Sequence, residues 1–269
     1  MKEECGLFGV YNKEKNSYQD VVDGLGLLQH RGQDSCGISF LNNNDIITHN
    51  HLGLVKDNFK DKYKHKHKHK QGIGHVRYCT SGRSKNITQI QPLLSSHPQL
   101  GEYSIAHNGN LPSIKNEYDT KYIINVINEL LNLSWSDVLK HVIDTIPSVY
   151  CLLILTKEGI YVLRDRFGIR PLVIGKHNQD YCVSSESSAL HRFSIFKHVA
   201  PGSLYVINDK GPELLYIYKQ SSCNICSFEY IYFLNHKSIV DDLSVTEVRK
   251  QLGEALAAHE ALAAHEALA

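Results

Sequence analysis

Apolar residues along the chain alternate between two rhythms. The run 6–11 (Gly-Leu-Phe-Gly-Val-Tyr) predicts a short buried strand, ended by the polar stretch 12–16. Residues 20–29 place Val21, Val22, Leu25, Leu27 and Leu28 at helix-like spacing, despite Gly24 and Gly26. A polar loop, His30-Arg31-Gly32-Gln33-Asp34, follows; runs 38–41 and 46–48, split by Asn42-Asn43-Asn44-Asp45, predict a hairpin. Residues 72–78 and 103–107 read as strands, the second running into Asn108-Gly109-Asn110, where Asn-Gly predicts a tight turn.

Residues 119–133 carry an amphipathic pattern (Tyr122, Ile123, Val126, Ile127, Leu130) behind an Asp119-Thr120 cap, and 136–146 predict a second helix. From Val149 onward the rhythm shortens into strands at 149–155, 159–164, 172–175, 181–185 and 204–208. Strands at that spacing, apart from the helical segments, predict antiparallel sheets packed face to face rather than βαβ units. Residues 241–269 read as helix, and their end repeats with a six-residue period. Leu256, Leu262 and Leu268 share no face, so that tail carries no stripe to bury.

Composition narrows the function classes. The 269 residues are 42% hydrophobic and 21% charged, with a formal charge of +1, the profile of an ordinary globular protein. That balance gives no electrostatic footprint for nucleic acid or an anionic membrane. No apolar run approaches the ~20 residues that span a bilayer, and the first residues are too polar for a signal peptide. A cytoplasmic chain is expected.

The seven cysteines (5, 36, 79, 151, 182, 223 and 226) are odd in number and scattered, so reduced thiols are expected. Only Cys223-x-x-Cys226 has metal-like spacing, and a closed site normally needs four ligands. Lys and His alternate from Lys64 to Lys70; the run reads as a solvated loop, with His65, His67 and His69 as the competing metal-ligand set. No glycine-rich phosphate loop occurs.

Four polar sites carry candidate chemistry. If Met1 to Glu4 are removed, Cys5 holds a thiol and a free α-amine with reference pKa values of about 8.5 and 8, so one can serve as base for the other. The alternative is a small apolar residue opening a strand. Arg77 can clamp an α-carboxylate with two parallel hydrogen bonds, and Asp119 can pair with an α-ammonium. The Asn108 amide and the Gly109 N–H can donate to a developing oxyanion. Each has a plainer reading as surface cation, cap or turn; together they fit binding an α-amino acid and cleaving its side-chain amide.

Those residues lie in motifs that resemble the class II glutamine amidotransferases: Glu4-Cys5-Gly6-Leu7-Phe8-Gly9, Leu28-Gln29-His30-Arg31-Gly32-Gln33-Asp34, Gly74-His75-Val76-Arg77-Tyr78 and Ala106-His107-Asn108-Gly109-Asn110. Further segments, Arg164-Asp165, Gly168 to Leu172, Ser184 to Ser187 and Cys226 to Phe233, resemble the branch that joins this domain to a phosphoribosyltransferase in purine synthesis. The resemblance implies an α+β fold, a four-layer αββα sandwich of two antiparallel sheets (the N-terminal-nucleophile hydrolase fold). It implies a propeptide at 1–4, an amidotransferase domain at 5–235, and at 236–269 the start of a phosphoribosyltransferase domain ending in the alanine-rich tail.

By position it makes Cys5 the nucleophile, Asn108 and Gly109 the oxyanion hole, and Arg77, Thr80, Asp119 and Gly32 the glutamine-binding set. The implied reaction releases ammonia from glutamine through a Cys5 thioester. Only nine residues separate Asn110 from Thr120, fewer than the family carries there. Cys226 matches one of four iron–sulfur ligands of some relatives. The other three would lie outside this chain, so no cofactor is expected here, and a cluster or magnesium belongs to a longer form. Phosphoribosyl pyrophosphate would enter only through a further domain or partner, and a homo-oligomer is left open. An amidotransferase with a different acceptor domain and an inactive remnant remain the alternatives.

Overall fold

The computed structural model describes residues 5–14, 16–59, 69–78, 87–111 and 118–267. Strand β1 (Gly6–Tyr11) leads into helix α1 (Tyr18–Leu27), a 3-10 turn at Gln29–Arg31, and the hairpin β2 (Ser35–Asn42) and β3 (Asp45–Leu52). After the one-turn α2 (Val55–Asn58) come β4 (Gln71–Arg77), β5 (Leu93–His97) and β6 (Gly101–Asn110). Helices α3 (Asp119–Glu129) and α4 (Trp135–Thr145) follow, then β7 (Val149–Leu155), β8 (Ile160–Arg164), β9 (Val173–His177) and β10 (Asp180–Ser184). The chain continues through β11 (Ser194–His198), β12 (Ser203–Asn208) and β13 (Gly211–Ile217). It ends with the small hairpin β14 (Ile239–Val240) and β15 (Leu243–Ser244) and helix α5 (Val245–Ala267).

Two antiparallel sheets result, ordered β11-β9-β10-β1-β4-β2-β3 and β13-β12-β8-β7-β6-β5. Their layering follows from side-chain alternation. Along β7, Tyr150, Leu152 and Ile154 pack with α3 and α4, while Cys151, Leu153 and Leu155 face the other sheet. Both faces of this strand are covered, so its sequence is continuously apolar. Along β1, Phe8 and Val10 pack with α1 and Leu7 turns inward to the second sheet. Three apolar layers, helix on sheet, sheet on sheet and sheet on helix, make the αββα sandwich.

The helices sit close because of what they carry. Gly24 lets α1 press on β1, since a Cβ there would stand 2.5 Å from the Phe8 ring. The glycine that weakens helix propensity is what allows the contact. Helix α4 is capped by Ser134, whose Oγ accepts the Asp137 N–H at 3.2 Å. It buries Trp135, Val138, Leu139, Val142 and Ile143, each contributing roughly 1.5–3 kcal/mol.

Several expectations are corrected. Asn108-Gly109 is no turn: both residues lie inside β6, paired with Cys151 and Tyr150. Asp119 is not a cap but the first residue of α3, with Tyr118 before it. The polar stretch 30–34 begins in a 3-10 turn, Gln29–Arg31, and its Arg31 is wholly buried. Strands β5, β11 and β13 were not expected; β11 and β13 are edge strands whose outward residues blur the alternation. His69 turns inward and stacks on Phe40 with ring centroids 5.0 Å apart, whereas His65 and His67 lie outside the described residues.

Candidate active site

Antiparallel pairing brings distant segments to one end of the sandwich. Strand β1 begins where β4 ends, with Gly6 opposite Val76, so Cys5 and Arg77 emerge side by side. On the facing sheet β6 runs to Asn110 and carries Asn108 and Gly109 at the same end. The Cys5 main-chain N–H donates to Asn108 Oδ1 at 3.4 Å, across the two sheets. Cys5 is nearly buried and Asn108 wholly so.

That contact fixes the Asn108 amide. With Oδ1 accepting from Cys5, Nδ2 is the other end, and although buried it has no hydrogen-bond partner among the described residues. A buried donor left without an acceptor costs about 1–3 kcal/mol, and such groups concentrate where a ligand completes them. Gly109 is held against β7, where a Cβ would collide with the Val149 carbonyl.

Gly32 lies flat on Arg77. A Cβ on Gly32 would stand 2.5 Å from the Arg77 carbonyl carbon and 2.6 Å from its nitrogen. The Asp34 N–H donates to the Arg77 carbonyl at 3.1 Å, so the 32–34 segment braces the end of β4. The Arg77 guanidinium is half-buried and donates to Gln89 Oε1 at 3.0 Å. Asp119 reaches the end of β6 and accepts the Leu111 N–H at 2.8 Å. Burial raises its pKa, partly offset by that amide, which leaves a carboxylate that gains from a cation. Thr80 lies outside the described residues.

Two polar assemblies hold this end together, and neither was read as such from the sequence. Gln91 donates to Thr120 Oγ1 at 3.0 Å and accepts the His107 N–H at 2.6 Å, tying α3 to β6 beside Asn108. Behind Cys5, Arg31 Nε donates to the Cys5 carbonyl at 3.0 Å while its other nitrogens meet Glu186 and Glu229. Arg170 also donates to Glu229, at 2.8 Å. Burial alone would raise the Glu186 pKa; the His30 hydrogen bond and the Arg31 charge outweigh it and hold it at about 2. The two carboxylates keep Arg31 charged despite its burial. The signal lay in Arg31, Glu186 and Glu229 occurring within the resembling motifs, but nothing in their spacing pairs them.

The Cys223 thiol donates to Asp241 Oδ2 at 3.3 Å, and among the described residues no three His, Cys, Asp or Glu side chains are grouped to hold a metal. Among the described residues no helix is long and apolar enough to cross a membrane.

Residues 55–207 match the family model described as "Glutamine amidotransferase domain". The amidophosphoribosyltransferase of Bacillus subtilis (strain 168) is 33% identical over 96% of this chain and 57% of its own length. That of Methanothermobacter thermautotrophicus is 33% identical over 95% and 58%. The chain thus spans a little over half the length of these relatives. The solved glutamine phosphoribosylpyrophosphate amidotransferase of B. subtilis, complexed with ADP and GMP, superposes with a TM-score of 0.83 at 33% identity, covering 93% of this chain and 57% of that one. A class-II domain protein from Silicibacter pomeroyi, 10% identical with a TM-score of 0.51, covers 78% of this chain and 98% of its own and shares the fold alone. The chain is a glutamine amidotransferase domain and belongs to that family, homologous to the corresponding part of the amidophosphoribosyltransferases.

Proposed function

We propose that this chain is the glutaminase half of an amidophosphoribosyltransferase and cleaves glutamine with Cys5. Removal of residues 1–4 frees the Cys5 α-amine, which takes the thiol proton as the sulfur attacks the side-chain amide carbon. Asn108 Nδ2 and the Gly109 N–H stabilise the tetrahedral oxyanion. Collapse breaks the C–N bond, the amine proton goes to the leaving nitrogen, and ammonia departs from a γ-glutamyl thioester. Water, activated by the same amine, then releases glutamate. Arg77 holds the α-carboxylate and Asp119 the α-ammonium, with Thr80 and Gly32 in the surrounding loops. Ammonia would pass to phosphoribosyl pyrophosphate on a phosphoribosyltransferase domain or partner, the first step of purine synthesis, in the cytoplasm.

One observation carries the reading: the nitrogen of residue 5 stands 3.4 Å from the amide oxygen of residue 108, whose own donor is unmet among the described residues. The test is ammonia release from glutamine by a chain whose intact mass begins at Cys5. Activity is expected there and lost in Cys5→Ala and in a form that keeps Met1 to Glu4. Equal turnover with the leader retained would refute the mechanism.

A further inference from the structure

We propose that Glu229 is a positioning residue for the Cys5 nucleophile, acting through the Arg31 guanidinium. The inference rests on the reading of Cys5 given above. Cys5 immediately precedes the first ladder pair of β1. Arg31 Nε donates to the Cys5 carbonyl at 3.0 Å. A guanidinium is planar and rigid, so what grips its far edge sets the direction of Nε. Glu229 grips that edge with both oxygens, Oε1 to Nη2 at 3.0 Å and Oε2 to Nη1 at 3.1 Å. Glu186 touches Nη1 alone, at 2.8 Å.

Glu229 is itself anchored. It opens the single turn Glu229–Phe233, closed by the Leu234 N–H donating to the Glu229 carbonyl at 2.9 Å. From α5, Arg249 donates to the Tyr230 and Leu234 carbonyls, both at 2.7 Å. The segment lies beyond residues 55–207, so the family match says nothing of it. A path of direct contacts therefore runs from α5 through the turn and Arg31 to the nucleophilic residue. The plainer role for Glu229 is to neutralise two buried arginines, and Arg170, which donates to the same carboxylate, separates the two roles.

The experiment uses the mature chain in wild-type form and as Glu229→Gln, Glu229→Asp and Arg170→Met. Two quantities are read: kcat and KM for glutamine, and the pH profile of Cys5 alkylation by iodoacetamide, followed on the N-terminal peptide by mass spectrometry. The charges around Cys5 are Arg77 at the end of β4 beside it, Arg31 and His30 from the 3-10 turn, Glu186 after β10, Arg170 before β9, and Glu229. Removing one negative charge favours the unprotonated amine. Glu229→Gln is expected to move the alkylation profile down by about half a pH unit. Misdirecting the nucleophile is expected to lower its kcat about 10- to 100-fold with KM nearly unchanged.

Glu229→Asp should restore the profile but not kcat, and it carries the test if the Gln variant does not fold. Arg170→Met should lose thermal stability and lower kcat far less than Glu229→Gln, since Glu229 keeps both of its bonds to Arg31. A Glu229→Gln chain with wild-type kcat and profile, or Gln and Met variants that behave alike, overturns the inference. Wild-type chain that is alkylated at Cys5 but releases no ammonia refutes the glutaminase reading instead, and Glu229 is then judged on the profile alone.

Discussion

Cys5 and Asn108 are 103 positions apart in sequence, yet the main-chain nitrogen of one donates to the side-chain oxygen of the other. This contact spans the two sheets and settles the orientation of the Asn108 amide. The oxygen is committed to residue 5, and the NH2 group finds no partner among the described residues.

Asn108→Ala should therefore lower kcat for glutamine hydrolysis about 10²- to 10³-fold, with KM within a few-fold of wild type. Asn108→Asp keeps an acceptor for Cys5 and loses the donor, so it should be as impaired as the alanine variant. Steady-state ammonia release checks both. An active Asp variant would place the oxyanion donor elsewhere.

In the proposed mechanism Arg77 acts on binding rather than on the developing oxyanion. Its guanidinium already meets Gln89, so a bound carboxylate joins or replaces that partner. Arg77→Lys keeps the charge and loses the planar fork. KM should rise about 10-fold or more in the lysine variant and further in Arg77→Ala, with kcat changed less. Equal losses in kcat and KM would instead mark distortion of the end of β4.

At Gly32 the backbone is extended (φ −163°), which any residue adopts, so the constraint there is space alone. A methyl group would meet the Arg77 backbone at 2.5 Å, and backbone yields less than a flexible side chain. Gly32→Ala should cost about 1–3 kcal/mol in urea unfolding and raise KM by shifting Arg77. A variant with wild-type stability and KM would show that the 32–34 segment gives way freely.

Much of this was legible from the chain. The run 149–155 is apolar at every position because β7 is covered on both faces, and such runs announce themselves. Edge strands β11 and β13 escaped because their exposed side chains blur the period. Asn108-Gly109 misled for a different reason: Asn-Gly favours a turn locally, but seven pairings with β7 outweigh that preference. Cys5, Arg77, Asn108 and Asp119 could be picked out because each side chain suits one task in amide chemistry. Arg31, Glu186 and Glu229 could not be joined to them, since a buried ion network depends on three-dimensional pairing that no spacing encodes.

Two buried histidines should make the protein sensitive to mild acid. His75 on β4 points between the sheets, its Nε2 donating to the His107 carbonyl at 3.1 Å, while the His107 ring on β6 lies against α3 with Nδ1 3.3 Å from Thr120 Oγ1. Burial lowers the His75 pKa to about 3, with Arg77 adding to the effect against that hydrogen bond. Burial lowers the His107 pKa to about 4, against a contact with the Val149 carbonyl. Unfolded histidine titrates near 6.5, so below that pH the unfolded chain binds protons that the folded chain refuses. Stability is complete above about pH 6.5 and falls as pH drops toward 4, by about 2 kcal/mol per histidine at pH 5. Asp165 works in the opposite sense: burial raises its pKa to about 6, so the folded chain gains roughly 1 kcal/mol as pH falls to 5. The net expectation is a loss of about 2–3 kcal/mol between pH 7.5 and 5. His75→Gln, which keeps an N–H for the His107 carbonyl, should lose about 2 kcal/mol less over the same range. Urea midpoints at the two pH values decide it, and parallel losses in wild type and variant would remove His75 as the cause.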